Sequence, residues 1–339
     1  MIAEKIAPRT ITEEFAQGIR KEQREALLMR WAPVMVLVIL IIVFSITCYE
    51  SFPTVTNLLA ILNQLAIPLL ISLGLTFVIM LGSIDLSVDG VVGLAGSVVT
   101  VLVLNTKNSN NLSLIGVVIA IGLGAISGLI VGTIHVKLKV PSFMVSFGMS
   151  SIATGFGILS YGGLPATIKD PLLMKIPSIN IAGLPLITCV ALAMLLIAYV
   201  LQEKTAFGRY IYAIGTNENI PRMTGINVDR IKIWVFVWSG ICLGVAGVLG
   251  ALRLGRGEVA IGIGSMFPAQ AAVVVGGTAL SGGKGGVVNT LVGSLIMTVL
   301  NDGLLLLGVN TYIRTGVQGV IILIAVALTV SHSSRTISK

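Results

Sequence analysis

Long apolar runs separated by short polar stretches make up most of the 339-residue chain. A helix that crosses the hydrocarbon core of a bilayer needs about 20 apolar residues, with a range of roughly 17–25. Three runs are shorter or interrupted: 90–104, 268–280, and 287–309, the last broken by Asn301, Asp302 and Gly303. The remaining runs have the full length, and they span 32–50, 58–81, 114–134, 141–161, 181–201, 231–252 and 316–332. The pattern predicts an all-α polytopic membrane protein with about ten transmembrane helices, some of them short or broken.

The composition requires lipid around most of the surface. Hydrophobic residues make up 55% of the chain and charged residues 11%, and the mean hydropathy is +1.01. Soluble globular domains carry roughly 25% charged residues, so this chain has too few charges to cover itself in water. The three cysteines lie in apolar runs, where a thiol packs as a small hydrophobic group, and they indicate no disulfide framework.

Lysine and arginine are distributed unevenly between alternate connecting segments. With ten helices and the N-terminus inside, 16 of the 22 Lys and Arg residues fall on the cytoplasmic side, as the positive-inside rule expects. We predict a cytoplasmic N-terminal tail over residues 1–31, a transmembrane domain over 32–332 and a cytoplasmic C-terminal tail over 333–339. The first apolar run begins too late for a cleavable signal peptide. The net charge of +8 comes mainly from cytoplasmic segments, so it requires no nucleic-acid partner.

Two glycine-containing stretches separate neighbouring apolar runs. They read GSIDLSVDG (82–90) and VVGGTALSGGKGG (274–286). Non-helical backbone at membrane depth survives only where protein or a water-filled cavity satisfies its polar groups, and transporters commonly build their pathways from such broken helices. We interpret both stretches as bends or re-entrant segments at the cytoplasmic side. In the first, Asp85 or Ser87 is placed to cap the helix that resumes near Asp89.

Glycine also recurs at four-residue spacing inside two of the predicted spans. Small residues at this spacing let helix backbones approach closely in lipid. The pattern therefore predicts close helix packing at the following glycines: Gly124, Gly128 and Gly132 in one span, and Gly240 and Gly244 in another.

The sequence carries no enzyme signature. Residues 276–286 superficially resemble a phosphate-binding loop, but they fail the G-x-x-x-x-G-K-[ST] pattern, because position 278 is Thr and position 285 is Gly. The two histidines lie far apart, and no nucleophile, base or metal-ligand set is clustered. We expect no catalytic residue, no metal site and no cofactor bound by this chain.

The longest predicted cytoplasmic loop, residues 202–230, contains a short helix signal after a turn framed by Thr205 and Gly208. The stretch NENIPRMTG (217–225) has Asn217 or Asn219 as a cap, a proline in the first turn and Gly225 as a terminator. This pattern predicts an exposed helix of about two turns.

Apolar residues occur every three positions in and just after this helix, at Ile220, Met223 and Ile226. A short amphipathic helix without a core of its own is expected to dock on another surface. On spacing alone, a partner protein and the membrane surface are equal candidates.

Three separated blocks resemble sugar-type ABC importer permeases of the ribose and autoinducer-2 permease family. TAFGRYIYAIGTNENIPRMTGINVDRIKI resembles the family's T-x-x-G-R-x-I-Y-A-x-G-G-N-x-x-A-A-x-x-S-G-I-x-V. GSIDLSVDG resembles G-I-D-L-S-V-G, and AAVVVGGTALSGGKGGVVNTLVGSLIMTVLNDGLLLLGV is similar to the G-G-x-S-x-x-G-G-x-G block. The resemblance covers about residues 57–327. It departs from the pattern at Ser83, Asp89, Thr216 and the pair Ile220-Pro221.

The resemblance implies a transmembrane subunit that pairs with a second permease chain in the bacterial cytoplasmic (inner) membrane. A separate ABC ATPase would bind ATP and Mg, and a periplasmic sugar-binding protein would dock outside. In this family the 215–230 helix couples to the ATPase. The implied coupling residues are Thr205, Gly208, Arg209, Asn217, Glu218, Asn219, Pro221, Arg222, Met223, Thr224, Gly225 and Ile226.

Candidate pathway residues are polar side chains inside early spans or beside the first break. Asn63 and Gln64 lie within a span, and Asp85 and Ser87 border the break. Neutral hydrogen-bonding groups suit a sugar better than charges do, because charge is costly inside a bilayer. Hydrogen bonding between helices explains the same residues equally well.

Two other classes of protein remain possible from the sequence. A self-sufficient, ion-coupled secondary transporter also uses broken helices, and it would transport without an ATPase. A membrane-embedded enzyme would need turnover that depends on Asp85 or Asp302.

Overall fold

The computed structural model describes residues 31–181, 183–321 and 323. Both predicted tails lie outside these residues, apart from Trp31, and so does most of the predicted 316–332 span. The fold is a helical bundle, and its helices are α1 (Trp31–Thr47), α2 (Val55–Met80), α3 (Val88–Leu102), α4 (Ser113–Lys137), α5 (Ser142–Tyr161), α6 (Leu186–Glu203), α7 (Ala206–Thr216), α8 (Asn219–Met223), α9 (Val228–Leu254), α10 (Met266–Val275), α11 (Val287–Leu306) and α12 (311–321).

Among the described helices, six are long and apolar enough to cross a bilayer: α2, α4, α5, α6, α9 and α11. Shorter apolar helices accompany them, including α1 and α3. An all-α polytopic membrane protein is therefore confirmed.

The predicted break in the last interrupted span is wrong. Helix α11 runs without interruption through Asn301, Asp302 and Gly303. The Asp302 side chain is bound by two side chains of α2, Asn57 and Gln64, so it does not compete with the helix backbone for hydrogen bonds.

The start of α6 also differs from the prediction, because the chain turns before it enters the helix. Strand β2 (Asn180–Ile181) pairs antiparallel with β3 (Leu184–Pro185), and α6 begins directly afterwards at Leu186. At the same end of the bundle, β1 (Ala166–Thr167) pairs antiparallel with β4 (Arg256–Gly257). The β1–β4 pair packs on α3 and α9, and the β2–β3 pair packs on α2 and α6.

Helix α9 lies at the centre of the bundle and packs on α2, α3 and α4. Its contact with α4 depends on the predicted glycines. A Cβ atom on Gly124 would lie 2.3 Å from the Gly240 carbonyl oxygen, and one on Gly128 would lie 2.1 Å from the Phe236 carbonyl oxygen. Neither separation is sterically possible, so glycine is required for the two backbones to touch. The prediction of close helix packing is confirmed.

Two helices begin directly after non-helical segments. Residues 83–87 have no regular secondary structure and lead into α3, and a turn-rich segment after the short 3₁₀ helix Val259–Ile261 leads into α10. The predicted first break is therefore present, and it ends near the N-terminus of α10.

Candidate coupling and pathway sites

The loop between α6 and α9 is mostly helical. The predicted turn at Thr205 and Gly208 is instead the start of α7, an 11-residue helix. Thr205 precedes the helix and its hydroxyl donates to the Leu201 carbonyl at 2.5 Å. A Cβ on Gly208 would lie 1.9 Å from the Gln202 carbonyl oxygen, so this glycine lets α7 turn back tightly against the end of α6. Arg209 is exposed.

Helix α8 is the short helix that the sequence predicted. It has five residues, and the Asn217 side chain accepts a hydrogen bond from the Asn219 backbone N–H at 3.0 Å. The helix ends before Gly225, whose φ of +80° is a left-handed conformation that glycine adopts without strain. The cap and the terminator are both confirmed.

The apolar residues of α8 divide between the bundle and solvent. Pro221 is buried, whereas Ile220 is 59% exposed and Met223 is 88% exposed. Ile226, just beyond the helix, is half-buried, and Thr224 is exposed. Two of the three predicted docking side chains are thus free at the surface, and the third partly supports the loop.

Four charged residues, Glu218, Arg222, Asp229 and Lys232, join α8 to the first turns of α9. Arg222 pairs with Glu218 at 2.7 Å and with Asp229 at 2.6 Å, and Lys232 pairs with Glu218 at 2.5 Å. We call this set the charge clamp. Arg222, predicted as a contact for a partner, is therefore already engaged within the chain.

The charge clamp lowers the pKa of Glu218. Partial burial by itself would raise this pKa, but hydrogen bonds and charge from Lys232 and Arg222 outweigh the burial. The carboxylate is consequently ionised at neutral pH, and the clamp is fully charged.

Four glycines bring three backbones together at the end of α7, and we call them the glycine junction: Gly82, Gly215, Gly282 and Gly283. A Cβ on Gly215, in α7, would lie 1.9 Å from the Met80 carbonyl oxygen, and one on Gly282 would lie 2.8 Å from the Gly82 nitrogen. The Gly283 N–H donates to the same Met80 carbonyl at 2.9 Å. The junction therefore joins the end of α7, the end of α2 and the 276–286 loop.

Side chains reinforce the same contact. The Tyr212 hydroxyl donates to the Gly285 carbonyl at 2.8 Å and accepts from Gln202 Nε2 at 2.9 Å. Gln202 Oε1 accepts from the Val287 N–H at 2.7 Å and so caps α11. Burial, and secondarily the charge of Glu203, raise the pKa of Tyr212, so its hydroxyl keeps its proton and remains a donor.

The first break is held by buried hydrogen bonds that neutral groups donate to the Asp85 side chain. Asp85 is 3% exposed, and its Oδ1 accepts from the Ser87 N–H at 2.9 Å and the Ser87 hydroxyl at 2.6 Å. Its Oδ2 accepts from the Ser239 hydroxyl of α9 at 2.9 Å. Ser87 occupies the N-cap position of α3, but its side chain makes no cap hydrogen bond. Both predicted pathway residues are buried and occupied by each other.

Three serines of α5 satisfy the backbone of the break. Ser142, Ser146 and Ser150, which we call the serine rail, accept hydrogen bonds from the N–H groups of Ile84, Leu86 and Gly90 at 3.0, 2.9 and 3.2 Å. The interpretation of the sequence missed this role, although the four-residue spacing of the serines along one helix face was a usable signal.

The Asp89 side chain contacts a helix other than its own. Its carboxylate accepts from the Gly264 N–H at 3.0 Å and the Met266 N–H at 2.9 Å. It therefore binds the start of α10 rather than the break in which it lies.

Asn63 and Gln64 have different surroundings. Within the described part of the chain, Asn63 Oδ1 is buried without a hydrogen-bond partner. Gln64 Nε2 donates to Asp302 Oδ1 at 2.9 Å, and Gln64 also borders a cavity of about 220 Å³ between α2, α10, α11 and α12. Of the four predicted pathway residues, Gln64 is the one that lines this cavity.

The cavity wall combines apolar surface with neutral polar groups. Among the described residues, no cluster of His, Cys, Asp or Glu could hold a metal ion. The apolar part includes Ile67, Ile71 and Met297. The polar side chains of the wall are Gln64, Ser265, Ser294, Thr298, Asn301 and Gln318.

A multi-pass helical bundle with broken helices and a short exposed helix is typical of membrane transport proteins. Residues 57–326 match the family described as the branched-chain amino acid transport system permease component. The chain belongs to this family, and within it to the permease subunits of sugar-type ABC importers.

Several relatives that are named as sugar permeases align with this chain over nearly their whole length. The ribose import permease protein RbsC of Escherichia coli K12 is 36% identical over 91% of this chain and 95% of its own. RbsC of Bacillus subtilis is 34% identical over 94% and 98%, and the D-allose transport system permease protein AlsC of E. coli K12 is 33% identical over 90% and 91%. No solved structure matches the chain.

Proposed function

We propose that this chain is the transmembrane subunit of an ATP-driven importer for a sugar or sugar-like small molecule. It pairs with a second permease chain, identical or paralogous, in the bacterial inner membrane. A periplasmic sugar-binding protein delivers the substrate, and a separate ABC ATPase binds ATP and Mg. The chain itself carries no covalent chemistry. The names of its relatives, which include permeases for ribose, allose and galactose, support this class of substrate.

The observation that carries the coupling role is the exposure of Met223. A methionine that is 88% exposed on a capped and charge-clamped helix has no packing function in this chain. An apolar side chain on a backbone held in this way suits a groove on a partner protein, because little backbone entropy remains to be lost on docking.

Two connections support mechanical transmission from α8 into the bundle. The charge clamp ties α8 to α9, the central helix. The glycine junction ties the end of α7 to two non-helical segments: the first break, which Gly82 begins, and the loop after α10, which contains Gly282. A force on α8 is therefore delivered to rigid helices and to the broken segments together.

Co-purification of the full chain with its ATPase tests the proposal. Met223→Asp places a charge on the docking surface without disturbing any internal contact, and we expect it to release the ATPase and abolish ATP-driven uptake. Ile226→Asp is expected to act in the same direction. The matched control is Met174→Asp, because Met174 is a 42% exposed methionine at the opposite end of the bundle. Unchanged co-purification and uptake in Met223→Asp would remove the coupling role.

The ion-coupled secondary transporter is the alternative function, and reconstitution separates the two. The purified chain alone, in liposomes with a proton or sodium gradient, is expected to accumulate no D-ribose. Accumulation without an ATPase would establish the alternative and reject the importer.

A further inference from the structure

The turn between α4 and α5 packs beside the start of α9. In the last turn of α4, the centroid of the His135 ring lies 5.8 Å from the centroid of the Phe236 ring of α9. His135 Nδ1 is also 2.7 Å from the Val140 carbonyl oxygen, and this contact folds the turn back on the end of α4. The end of α4, the turn and the start of α9 therefore form one surface.

Helices α4 and α9 run antiparallel, so the end of α4 lies level with the start of α9. Along α4, the last of the close glycine contacts is between Gly132 and the backbone of Ile233. Lys137 lies five residues further on, a distance of about 7.5 Å at 1.5 Å per residue. It is therefore level with the first turn of α9, which contains Arg230.

Three basic side chains are exposed on this surface: Lys137, Lys139 and Arg230. None of them forms an ion pair with another described residue. The neighbouring carboxylate, Asp229, is engaged by Arg222 in the charge clamp. The surface therefore carries three positive charges that the described part of the chain does not balance, and their mutual repulsion favours a bound anion.

Large apolar side chains are exposed among these charges. Leu138 lies between the two lysines and is 69% exposed, and Trp234 is 63% exposed. Trp234 follows Arg230 by four residues, so both lie on the same face of α9. An inorganic anion would leave this apolar surface in water, whereas an anion that carries hydrocarbon would cover it.

The length of α9 places Trp234 at the edge of the bilayer. The helix has 27 residues, so it is about 40 Å long and exceeds the hydrocarbon core of roughly 30 Å. Trp234 is one and a half turns from its start, at the depth where tryptophan is enriched in membrane proteins. Arg230 lies one turn further out, at the level of the lipid headgroups.

The same surface continues into a face of α4 that the composition assigns to lipid. Ile126 and Ile130 are exposed, and they precede Lys137 by eleven and seven residues, which places all three on one side of the helix. A lysine at this position can lay its methylene groups along apolar surface and keep its ammonium group in the headgroup layer. This continuity fits a lipid better than it fits a water-soluble protein.

We propose that the end of α4, the α4–α5 turn and the start of α9 form a binding site for an anionic phospholipid. Lys137, Lys139 and Arg230 bind the phosphate, and Trp234 and Leu138 contact the glycerol and the adjoining acyl carbons. The site rests on the proposed function only for its placement on the cytoplasmic side, which follows from that of α8. Its chemistry requires no ATPase.

Native mass spectrometry of the full chain in a neutral detergent tests the site. The chain is titrated with dioleoylphosphatidylglycerol and, separately, with zwitterionic dioleoylphosphatidylcholine, and bound lipid is counted. We expect tighter binding of phosphatidylglycerol. One lysine or arginine near an anionic lipid contributes about fivefold to binding, so neutralising all three should weaken phosphatidylglycerol binding at least about tenfold. Phosphatidylcholine binding should stay unchanged. The substitutions are Lys137→Gln, Lys139→Gln and Arg230→Gln.

A matched control removes the same number of charges from exposed positions outside the site. Its substitutions are Lys169→Gln, Lys175→Gln and Lys204→Gln. We expect this variant to bind phosphatidylglycerol as the wild type does. Because all six positions are exposed, both variants should retain the thermal unfolding temperature of the wild type. Equal phosphatidylglycerol affinity in the two triple variants would overturn the site.

Two further measurements distinguish a lipid from a free anion. Trp234→Ala is expected to weaken phosphatidylglycerol binding severalfold, whereas Trp234→Phe retains most of the apolar contact and most of the affinity. Trp31→Ala, at an exposed tryptophan at the start of α1, is the control. Inorganic phosphate at the same concentration should not displace the lipid. Displacement by inorganic phosphate, together with full affinity in Trp234→Ala, would identify a free-phosphate site and reject the lipid.

The outcomes also separate this inference from the importer. A triple variant at 137, 139 and 230 that loses the ATPase on co-purification but keeps its phosphatidylglycerol affinity would make the surface a protein-docking site and overturn the lipid site. Selective phosphatidylglycerol binding that depends on these three residues, in a chain that binds no ATPase and supports no ATP-driven uptake, retains the lipid site and rejects the importer.

Discussion

The surface around α8 and the interior of the bundle stabilise their carboxylates in opposite ways. Glu218 is paired with Lys232 and Arg222 at a partly exposed site. Asp85 and Asp302 are buried, and their partners are neutral: serine hydroxyls and a backbone N–H for Asp85, and amide side chains for Asp302. Ion pairing at the surface is screened by salt, whereas buried hydrogen bonds are not. The two regions should therefore respond differently to mutation and to ionic strength.

Removing the Asp85 carboxylate is expected to have the largest effect. Asp85→Ala leaves the Ser87 N–H and the hydroxyls of Ser87 and Ser239 without their acceptor. Each buried group left unsatisfied costs about 1–3 kcal/mol, so the loss in the free energy of unfolding should reach about 3 kcal/mol or more. Thermal unfolding of the full chain in nanodiscs measures it.

Asp85→Asn provides the control for this experiment, because an amide oxygen still accepts from Ser87 and the amide N–H₂ can donate to Ser239. It should lose clearly less stability than Asp85→Ala, and the difference should be the same at low and high salt. Equal losses would mean that the hydrogen bonds of Asp85 do not hold the break.

Truncation of the serine rail is expected to have an intermediate effect. Ser146→Ala removes the acceptor of the Leu86 N–H and leaves a buried donor unsatisfied, at a cost of about 1–3 kcal/mol. Ser160→Ala is the control on the same helix, because the Ser160 hydroxyl donates to the Gly157 carbonyl of α5 itself. A stability of Ser146→Ala equal to that of Ser160→Ala would argue against the rail.

Breaking the charge clamp is expected to have the smallest effect on stability. Lys232→Met removes one ion pair of a partly exposed network, and such pairs contribute about 0.2–1 kcal/mol. The loss should shrink further in high salt, unlike the losses in the interior. A salt-independent loss would show that Lys232 acts through burial of its side chain rather than through its charge.

The pH dependence of the clamp has a definite direction. Because the pKa of Glu218 is lowered in the folded state, its contribution to stability is fully present above the ordinary value of 4.5 and is lost as the pH falls through the lower, folded value. Glu218→Gln should abolish this part of the acid sensitivity in unfolding measured across that range. A wild type and a Glu218→Gln variant with the same acid profile would contradict the assignment.

The sequence predicted those features that depend on local pattern. Apolar run length located the long spans, and the four-residue glycine spacing located the contact of α4 with α9. The Asn217 cap and the Gly225 terminator located α8 because capping is decided within a few residues.

Features that depend on residues far apart in the chain could not be predicted from the sequence. The Asn301-Asp302-Gly303 sequence contains poor helix formers, and nothing nearby reveals that Asn57 and Gln64 on α2 bind Asp302 and let α11 continue. In the same way, Ser294 and Ser127 are equivalent in sequence, each a single serine in an apolar span. The Ser127 hydroxyl bonds to its own helix, whereas the Ser294 hydroxyl is buried without a hydrogen-bond partner among the described residues, a difference that only the packing of the helices creates.

The position of Asp89 has an electrostatic consequence for the helices that begin beside it. It lies in the first turn of α3, and its carboxylate also binds the first N–H groups of α10. Each helix N-terminus carries the equivalent of about half a positive charge, so one negative charge at this point balances two helix dipoles. The charge at the meeting point of α3 and α10, where Asp89 is half-buried and Gly264 is exposed, is thereby close to balanced.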